Sequence, residues 1–252
     1  MHAPTQEAME IVARTDIGKL RERNEDSYYF DAGLQLFAVA DGMSGHERGD
    51  LASRLALNVI EEWATDKARS ASDVGHIKKL EILSELATEA NQRVYATAQH
   101  QTQHSGMGTT LVAGFATASY LVYVYVGDSR LYVLHDETLT QITTDDSLVQ
   151  KMVEEGQITA EESRTHAKRN ILMQAIGLSP DVTVNADVHP LSPGDIILAC
   201  TDGLHDMVID DAEIAETIRT APTLTAACEN LVDKALNYGG TDNVTVLLAA
   251  VE

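Results

Sequence analysis

Residues 109–135 read TTLVAGFATASYLVYVYVGDSRLYVLH, and their pattern decides the fold. Thr109 to Ala116, Tyr120 to Val126 and Arg130 to His135 are apolar runs with the composition of well-buried strands. Only Thr117-Ala-Ser119 and Gly127-Asp-Ser129 separate them. A parallel pair needs a crossover of a dozen or more residues, so connections this short imply antiparallel hairpins. Working outward, Asp31-Ala-Gly33 joins Ser27 to Asp31 with Leu34 to Ala40 in the same way. Glu10 to Arg14, Asp195 to Cys200 and Val244 to Val251 read as further strands. A doubly wound parallel sheet is therefore disfavoured.

Between the strands lie amphipathic helices. Leu83, Ala87, Ala90, Val94 and Ala98 step by three and four, and so do Leu51, Leu55, Val59 and Trp63. Leu224, Cys228, Leu231 and Ala235 repeat the pattern ahead of Gly239, a candidate C′ glycine. Two antiparallel sheets packed face to face with helices outside would bury every apolar face, so the expected fold is α+β, a four-layer α/β/β/α sandwich. No Pro/Gly/Ser-rich linker or repeat divides the chain, which predicts a single domain over 1–252.

Composition narrows the partners. The 252 residues carry 18 Lys+Arg and 39 Asp+Glu, a formal net charge of −21, which disfavours nucleic acid or an anionic membrane as partner. At 44% hydrophobic the chain is too apolar for a disordered acidic tail. Cys200 and Cys228 fall in apolar patterns and read as reduced core thiols. Met1 to Glu10 has no signal-peptide pattern and no run approaches a membrane span, so the expected location is the cytoplasm.

Four aspartates stand at the ends of apolar strands. Leu34 to Ala40 runs into Asp41-Gly42, Tyr120 to Val126 into Gly127-Asp128, Ile196 to Thr201 into Asp202-Gly203, and Asp242-Asn243 precedes Val244. Any one could be an ordinary turn. Four on one sheet edge would repel unless a cation neutralises them, and oxygen-only donors favour Mg²⁺ or Mn²⁺ over zinc. A pair of such ions activates water for in-line attack on phosphorus. Phosphoryl oxygens need a guanidinium, and Arg21 and Arg23 lie beside Glu25 and Asp26.

These residues resemble the metal-dependent Ser/Thr protein phosphatases, the PPM or type 2C family, and single-domain bacterial members in particular. Arg21 to Ser27 (RERNEDS), Asp41 to His46 (DGMSGH), Gly108-Thr-Thr110, Val126 to Arg130 (VGDSR), Thr201 to Leu204 (TDGL) and Gly240 to Val244 (GTDNV) stand in the family's order and spacing. The resemblance implies hydrolysis of phosphoserine and phosphothreonine by a metal-bound hydroxide, reversing the work of a cognate Ser/Thr kinase. Asp41 would bridge two Mg or Mn ions, joined by the Gly42 carbonyl, Asp202 and Asp242. Glu25 would act through water, Asp128 with Asp202 would hold a third ion, and Arg21 would clamp the substrate phosphate. Asp26 and Asn243 would support this centre, while Arg23 is off the family's arginine position and reads as a surface charge. Phosphorylated proteins are the implied partners, and a monomer is expected.

The chain departs from the family in places. Ser44 replaces a common glycine, Met43 stands where some relatives have a histidine after Asp-Gly, and Asp145-Asp146 stands where relatives commonly have Asp-His. His46 is a candidate general acid or a cap for the following helix. Residues at about 145–178 match a flap subdomain, with short helices over Ser147 to Glu155 and Glu161 to Ile171 and a capping box at Thr159-Ala-Glu-Glu162. Two other classes stand beside the phosphatase: a phosphatase-like regulatory or sensor domain with little turnover, which would be expected to have lost acidic ligands, and a serine hydrolase. Gly42-Met-Ser44-Gly45 lacks the second-glycine spacing of a nucleophile elbow.

Overall fold

The computed structural model describes residues 9–43, 48–71, 74–100 and 106–251. Strands β1 (Glu10–Asp16), β11 (Val244–Ala250), β10 (Ile196–Cys200), β7 (Arg130–His135) and β8 (Thr138–Gln141) form one sheet in that order. The second runs β2 (Asp26–Asp31), β3 (Leu36–Met43), β5 (Leu111–Ala116), β6 (Tyr120–Val126), β9 (Asn185–Pro190), with the short β4 (Gly108–Thr109) paired to β3. Every pairing is antiparallel.

Side chains alternate across each sheet and divide the core into three. Leu36, Ala38 and Ala40 pack against Ala56 and Ile60 of α1 (Gly49–Ala71) and Leu83 and Val94 of α2 (His76–His100). Phe37 and Val39 point the other way, onto Ile197, Leu247 and Ala249 of the facing sheet. That sheet's outer face, with Leu198, Val246 and Leu248, is covered by Ile214 and Ile218 of α6 (Asp211–Thr220) and by Cys228 and Leu231 of α7 (Leu224–Asn237). This is the expected helix-sheet-sheet-helix sandwich. Cys200 and Cys228 are free and buried, as read from the sequence.

One expected hairpin is absent. Gly127-Asp128-Ser129 does not pair β6 with β7: β6 lies between β5 and β9, and β7 between β10 and β8. The turn instead carries the chain from one sheet to the other. Packed sheets lie about 10 Å apart and an extended residue spans roughly 3.3–3.6 Å, so three residues suffice. Gly127 permits the jump with φ of +101°, in a space where a Cβ would lie 2.7 Å from Thr110 Cγ2.

Smaller differences follow from packing. The edge strands β8 and β9 are polar and largely exposed, so they carry little apolar signal. At the end of α7 Tyr238 is the C-cap and Gly239 the expected C′ glycine, with Gly239 N–H donating to Leu236 O at 3.2 Å and Gly240 N–H to Ala235 O at 3.1 Å, both glycines at positive φ. The second short helix expected over Glu161 to Ile171 is only α4 (Ala160–Thr165), ending where His166 turns extended. Its predicted capping box between Thr159 and Glu162 is present. With α3 (Leu148–Glu154), α4 belongs to an excursion whose two ends are zipped together. Leu148 N–H donates to Ile171 O at 2.8 Å, Met173 N–H donates to Asp146 O at 2.7 Å, and Ser147 bridges Leu172.

At the far end of the sandwich His135 Nδ1 meets the buried Asp195 carboxylate at 2.6 Å, raising the imidazole pKa through that hydrogen bond first and then through the charges of Asp195 and Asp136. A group whose folded pKa is raised contributes stability fully present below its unfolded value, about 6.5, and lost as pH rises through the folded value. The melting-temperature advantage of the native protein over His135→Ala is expected to be full at acidic pH and to shrink on going alkaline. An advantage independent of pH would contradict this.

Candidate metal centre

The strand ends at one edge of the sandwich open into a cavity of about 210 Å³ lined by Arg21, Glu25, Asp41, Asp128, Asp202 and Asp242. All six come from the sequence-predicted set, drawn from β3, from four other stretches between or after strands, and from both sheets. Asp41 ends β3, Asp128 sits in the turn between sheets, Asp202 opens α5 (Asp202–His205) after β10, and Asp242 precedes β11. Gly42, Met43, Thr110, Asn170, Leu172 and Asn243 line the rest of the wall. Ser44 and His46 lie outside the described residues.

Each side chain is held by identifiable bonds. The Asp41 N–H donates to Thr110 Oγ1 at 2.9 Å, and its carbonyl accepts from Thr110 N–H at 2.9 Å and Thr109 Oγ1 at 2.8 Å. The Gly108-Thr-Thr110 motif is thus a brace for Asp41. Gly42 donates its N–H to Glu25 O at 3.1 Å and lies so close to the start of α1 that a Cβ would sit 2.1 Å from the Gly49 carbonyl oxygen. Gly49 N–H in turn donates to Glu25 Oε1 at 3.0 Å, so Glu25 joins β2, β3 and α1. Asn243 does more than the expected support of Asp242, whose Oδ1 accepts from the Asn243 N–H at 2.8 Å. Its Nδ2 donates to the carbonyls of Ile17 at 2.8 Å and Arg23 at 2.9 Å, and its Oδ1 accepts from Glu25 N–H at 2.8 Å. It therefore fixes the loop that carries Arg21 and Glu25.

Asp26 is buried behind Asp41, its Oδ2 accepting from Thr201 Oγ1 at 2.8 Å and Thr245 Oγ1 at 2.7 Å. Arg21 donates from Nη2 to Asp242 Oδ2 at 2.5 Å and is half exposed. Arg23 is exposed, and its carbonyl serves the site by accepting from Asn243 Nδ2. His205 was not singled out by sequence, although it directly follows the Thr201 to Leu204 motif. It is buried, with Nε2 3.2 Å from the Asp128 carbonyl oxygen and Nδ1 3.6 Å from Asp206 Oδ1.

The electrostatics are those of crowded acids. Burial, followed by the charges of Asp26, Asp202, Asp128 and Asp242, holds the Asp41 pKa well above the usual carboxylate range. Asp202 is raised likewise by burial, then by Asp128 and Asp242. Burial lifts Asp128 to about 6 against the opposing charge of His205, and lifts Asp26 to about 7 against its two threonine hydrogen bonds. Among the described residues Asp202 Oδ1 is buried without a hydrogen-bond partner. A ring of oxygen-only donors with an orphaned carboxylate oxygen in its floor fits a hard divalent cation. Among the described residues no three acidic or imidazole side chains already close to ligand spacing, in keeping with like charges that push one another apart.

The fold and this cleft define a metal-centred sandwich of the phosphatase type. The family described as Protein phosphatase 2C matches residues 20–237, and the chain belongs to it. It is 37% identical over 240 residues to the serine/threonine phosphatase stp of Listeria innocua, covering 93% of each chain. The structure of the Mycobacterium tuberculosis serine/threonine phosphatase PstP/Ppp superposes with a TM-score of 0.87 at 37% identity, over 97% of this chain and 99% of that one. The catalytic domain of PstP in complex with 2 manganese ions gives 0.83 at 36% identity, over 96% and 98%.

The close approach at Gly42 has a direct consequence. Gly42→Ala is expected to cost roughly 1–3 kcal/mol in chemical denaturation, as overpacking does, and to misplace Glu25 and the start of α1. Unchanged stability would mean that this contact is loose.

Proposed function

We propose that this chain is a divalent-metal-dependent phosphoprotein phosphatase that hydrolyses phosphoserine and phosphothreonine. The observation that carries this is the convergence of four strand-end aspartates and a guanidinium on one cleft, with a buried Asp202 oxygen that no group among the described residues satisfies. Asp41, the Gly42 carbonyl, Asp202 and Asp242 would hold two Mg or Mn ions. Glu25 would contribute through water, and Asp128 with Asp202 would hold a third, weaker ion. When bound, such ions activate water and neutralise charge on the phosphoryl oxygens.

The chain's own residues supply the rest. The main chain of Asp41 is locked by Thr109 and Thr110, which keeps its carboxylate at the cleft for an arriving cation. Arg21 reaches the cleft on the loop fixed by Asn243, and its half-exposed guanidinium has donors free to take a phosphoryl oxygen while Asp242 holds one arm. His205 is spent on the Asp128 carbonyl, which favours a positioning part for it over proton donation to the leaving alkoxide. His46 is retained as a candidate acid or helix cap.

Residues 1–252 are taken as a single catalytic domain whose flap subdomain at about 145–178 borders the cleft. Its substrates are phosphoproteins made by a cognate Ser/Thr kinase. The candidate ligands and Arg21 all come from one chain, which supports a monomer, and the free buried thiols of Cys200 and Cys228 support a cytoplasmic location. Among the described residues no helix is long and apolar enough to cross a membrane.

The purified protein is expected to hydrolyse a phosphothreonine peptide with Mn²⁺ and to stop in EDTA. Asp202→Asn should lower kcat by about a hundredfold or more, and Arg21→Ala should act mainly on KM. Mn²⁺ should raise the melting temperature of the native protein and do so far less for Asp202→Asn, since a ligand that binds only the folded state stabilises it. Full turnover by Asp202→Asn at saturating metal would overturn the two-ion assignment.

A further inference from the structure

We infer that Asp146 is a positioning residue that locks the turn carrying Asp128 to the stem of the 146–173 excursion; this rests on the metal-centre reading above. Gly127 N–H donates to Asp146 Oδ2 at 3.0 Å, and Asp146 N–H donates back to Gly127 O at 2.9 Å, a reciprocal pair one residue from Asp128. Asn185 Nδ2 donates to both Asp146 carboxylate oxygens at 3.1 Å, tying them to β9. The Asp146 carbonyl accepts from Met173 N–H at 2.7 Å, closing the stem. One residue thus touches the turn between sheets, an edge strand and both ends of the excursion.

The neighbouring Asp145 completes a clamp. Arg130 donates to it from Nε at 3.0 Å and from Nη2 at 2.8 Å. Asp128 lies between Gly127 and Arg130, so the two consecutive acids hold the turn on both sides of it, Asp146 before and Asp145 after. The excursion reaches the same cleft at its other end, where Asn170 and Leu172 line the wall with Asp128. A shift of the stem therefore moves the Asp128 carboxylate, and a cation held by Asp128 resists a shift of the stem. Gly127 sits at positive φ, and beside these two bonds the turn is held by His205 on the Asp128 carbonyl and by Ser129 Oγ, 2.6 Å from Thr110 Oγ1.

The test compares Asp146→Ala, Asp146→Asn and Asn185→Ala in the full chain. Mn²⁺ is titrated calorimetrically without substrate, and kcat and KM are measured on a phosphothreonine peptide. Asp146→Ala is expected to weaken the Mn²⁺ isotherm and lower kcat by roughly tenfold, as loss of an outer partner of a metal ligand does. Asp146→Asn keeps an oxygen for the Gly127 amide and should recover most of both, and Asn185→Ala, which leaves the Gly127 pair intact, should stay near the native values. A lower melting temperature for Asp146→Ala with unchanged isotherm and kcat would make the residue a structural staple and overturn the inference. So would Asn185→Ala as damaging as Asp146→Ala. Should Asp146→Ala fail to fold, an Asp146→Asn protein that folds yet binds Mn²⁺ roughly tenfold more weakly than the native protein has the same overturning force, because it keeps an oxygen for the Gly127 amide. Absence of turnover in the native protein would count against the proposed function alone, because the isotherm is read without substrate.

Discussion

The carboxyl of Asp26 is the joint on which the site depends. It stands at the start of β2 in one sheet, and its Oδ2 accepts hydroxyl protons from Thr201 and Thr245, which belong to the ends of β10 and β11 in the other. Thr201 occupies the N-cap position of α5 yet caps nothing there, because its hydroxyl is committed to Asp26. The same threonines bond each other's main chains, Thr201 N–H to Thr245 O at 3.1 Å and Thr245 N–H to Thr201 Oγ1 at 3.0 Å. Asp41 is the registered partner of Asp26, and Asp202 directly follows Thr201. The relative placement of two candidate ligands from different sheets is thus fixed through one buried group. An unpaired carboxyl in that position would be costly to bury, and the two hydroxyls are what make it tolerable.

Around this joint the charges are arranged against stability. Asp41, Asp128 and Asp202 all have raised pKa values, with burial as the leading cause and, for Asp41 and Asp202, repulsion from the neighbouring acids behind it. Crowded acids of this kind favour function over folding, since only a cation between them relieves the strain. The remaining acidity of the chain, at a net −21, lies mostly elsewhere and opposes long-range capture of an anionic substrate. Capture then depends on short-range fields, those of bound cations and of the Arg21 guanidinium at the rim.

What could be read from sequence follows the physics of each residue. Strands buried on both faces, such as Leu36 to Ala40, announce themselves through uninterrupted apolar runs, and amphipathic helices through their period. Polar edge strands such as Thr138–Gln141 and Asn185–Pro190 do not, because they bury little. The ligand set was legible because carboxylates at strand ends are conspicuous, but the bonds that aim them were not. Asn243 reaching Ile17, Thr110 bracing Asp41 and His205 beneath Asp128 are contacts between residues remote in sequence, created only by the packing of the sheets. The error at Gly127-Asp128-Ser129 has the same origin. Turn length excludes a helical crossover but cannot distinguish a hairpin from a jump between stacked sheets.

That jump has a consequence for the site. A hairpin would have placed Asp128 at the end of one sheet, whereas the crossing puts it at the seam, where its turn touches both layers. Asp41 arrives from one sheet and Asp202 and Asp242 from the other, so the spacing of the carboxylates is set by how the sheets pack. The packing that sets it is apolar and closely interdigitated, with Phe37, Val39, Ile197, Leu247 and Ala249 buried between the layers. Interiors packed in this way have little room to slide, which holds four repelling groups at a constant separation without any of them bonding to the next. The polar excursion, by contrast, is joined to the rest through its stem and the Arg169–Asp206 ion pair at 3.4 Å, and rests on few apolar contacts. Rigidity is therefore concentrated behind the carboxylates and freedom in front of them, the division a site needs if it is to hold small cations at fixed spacing while accepting phosphorylated segments of varied shape.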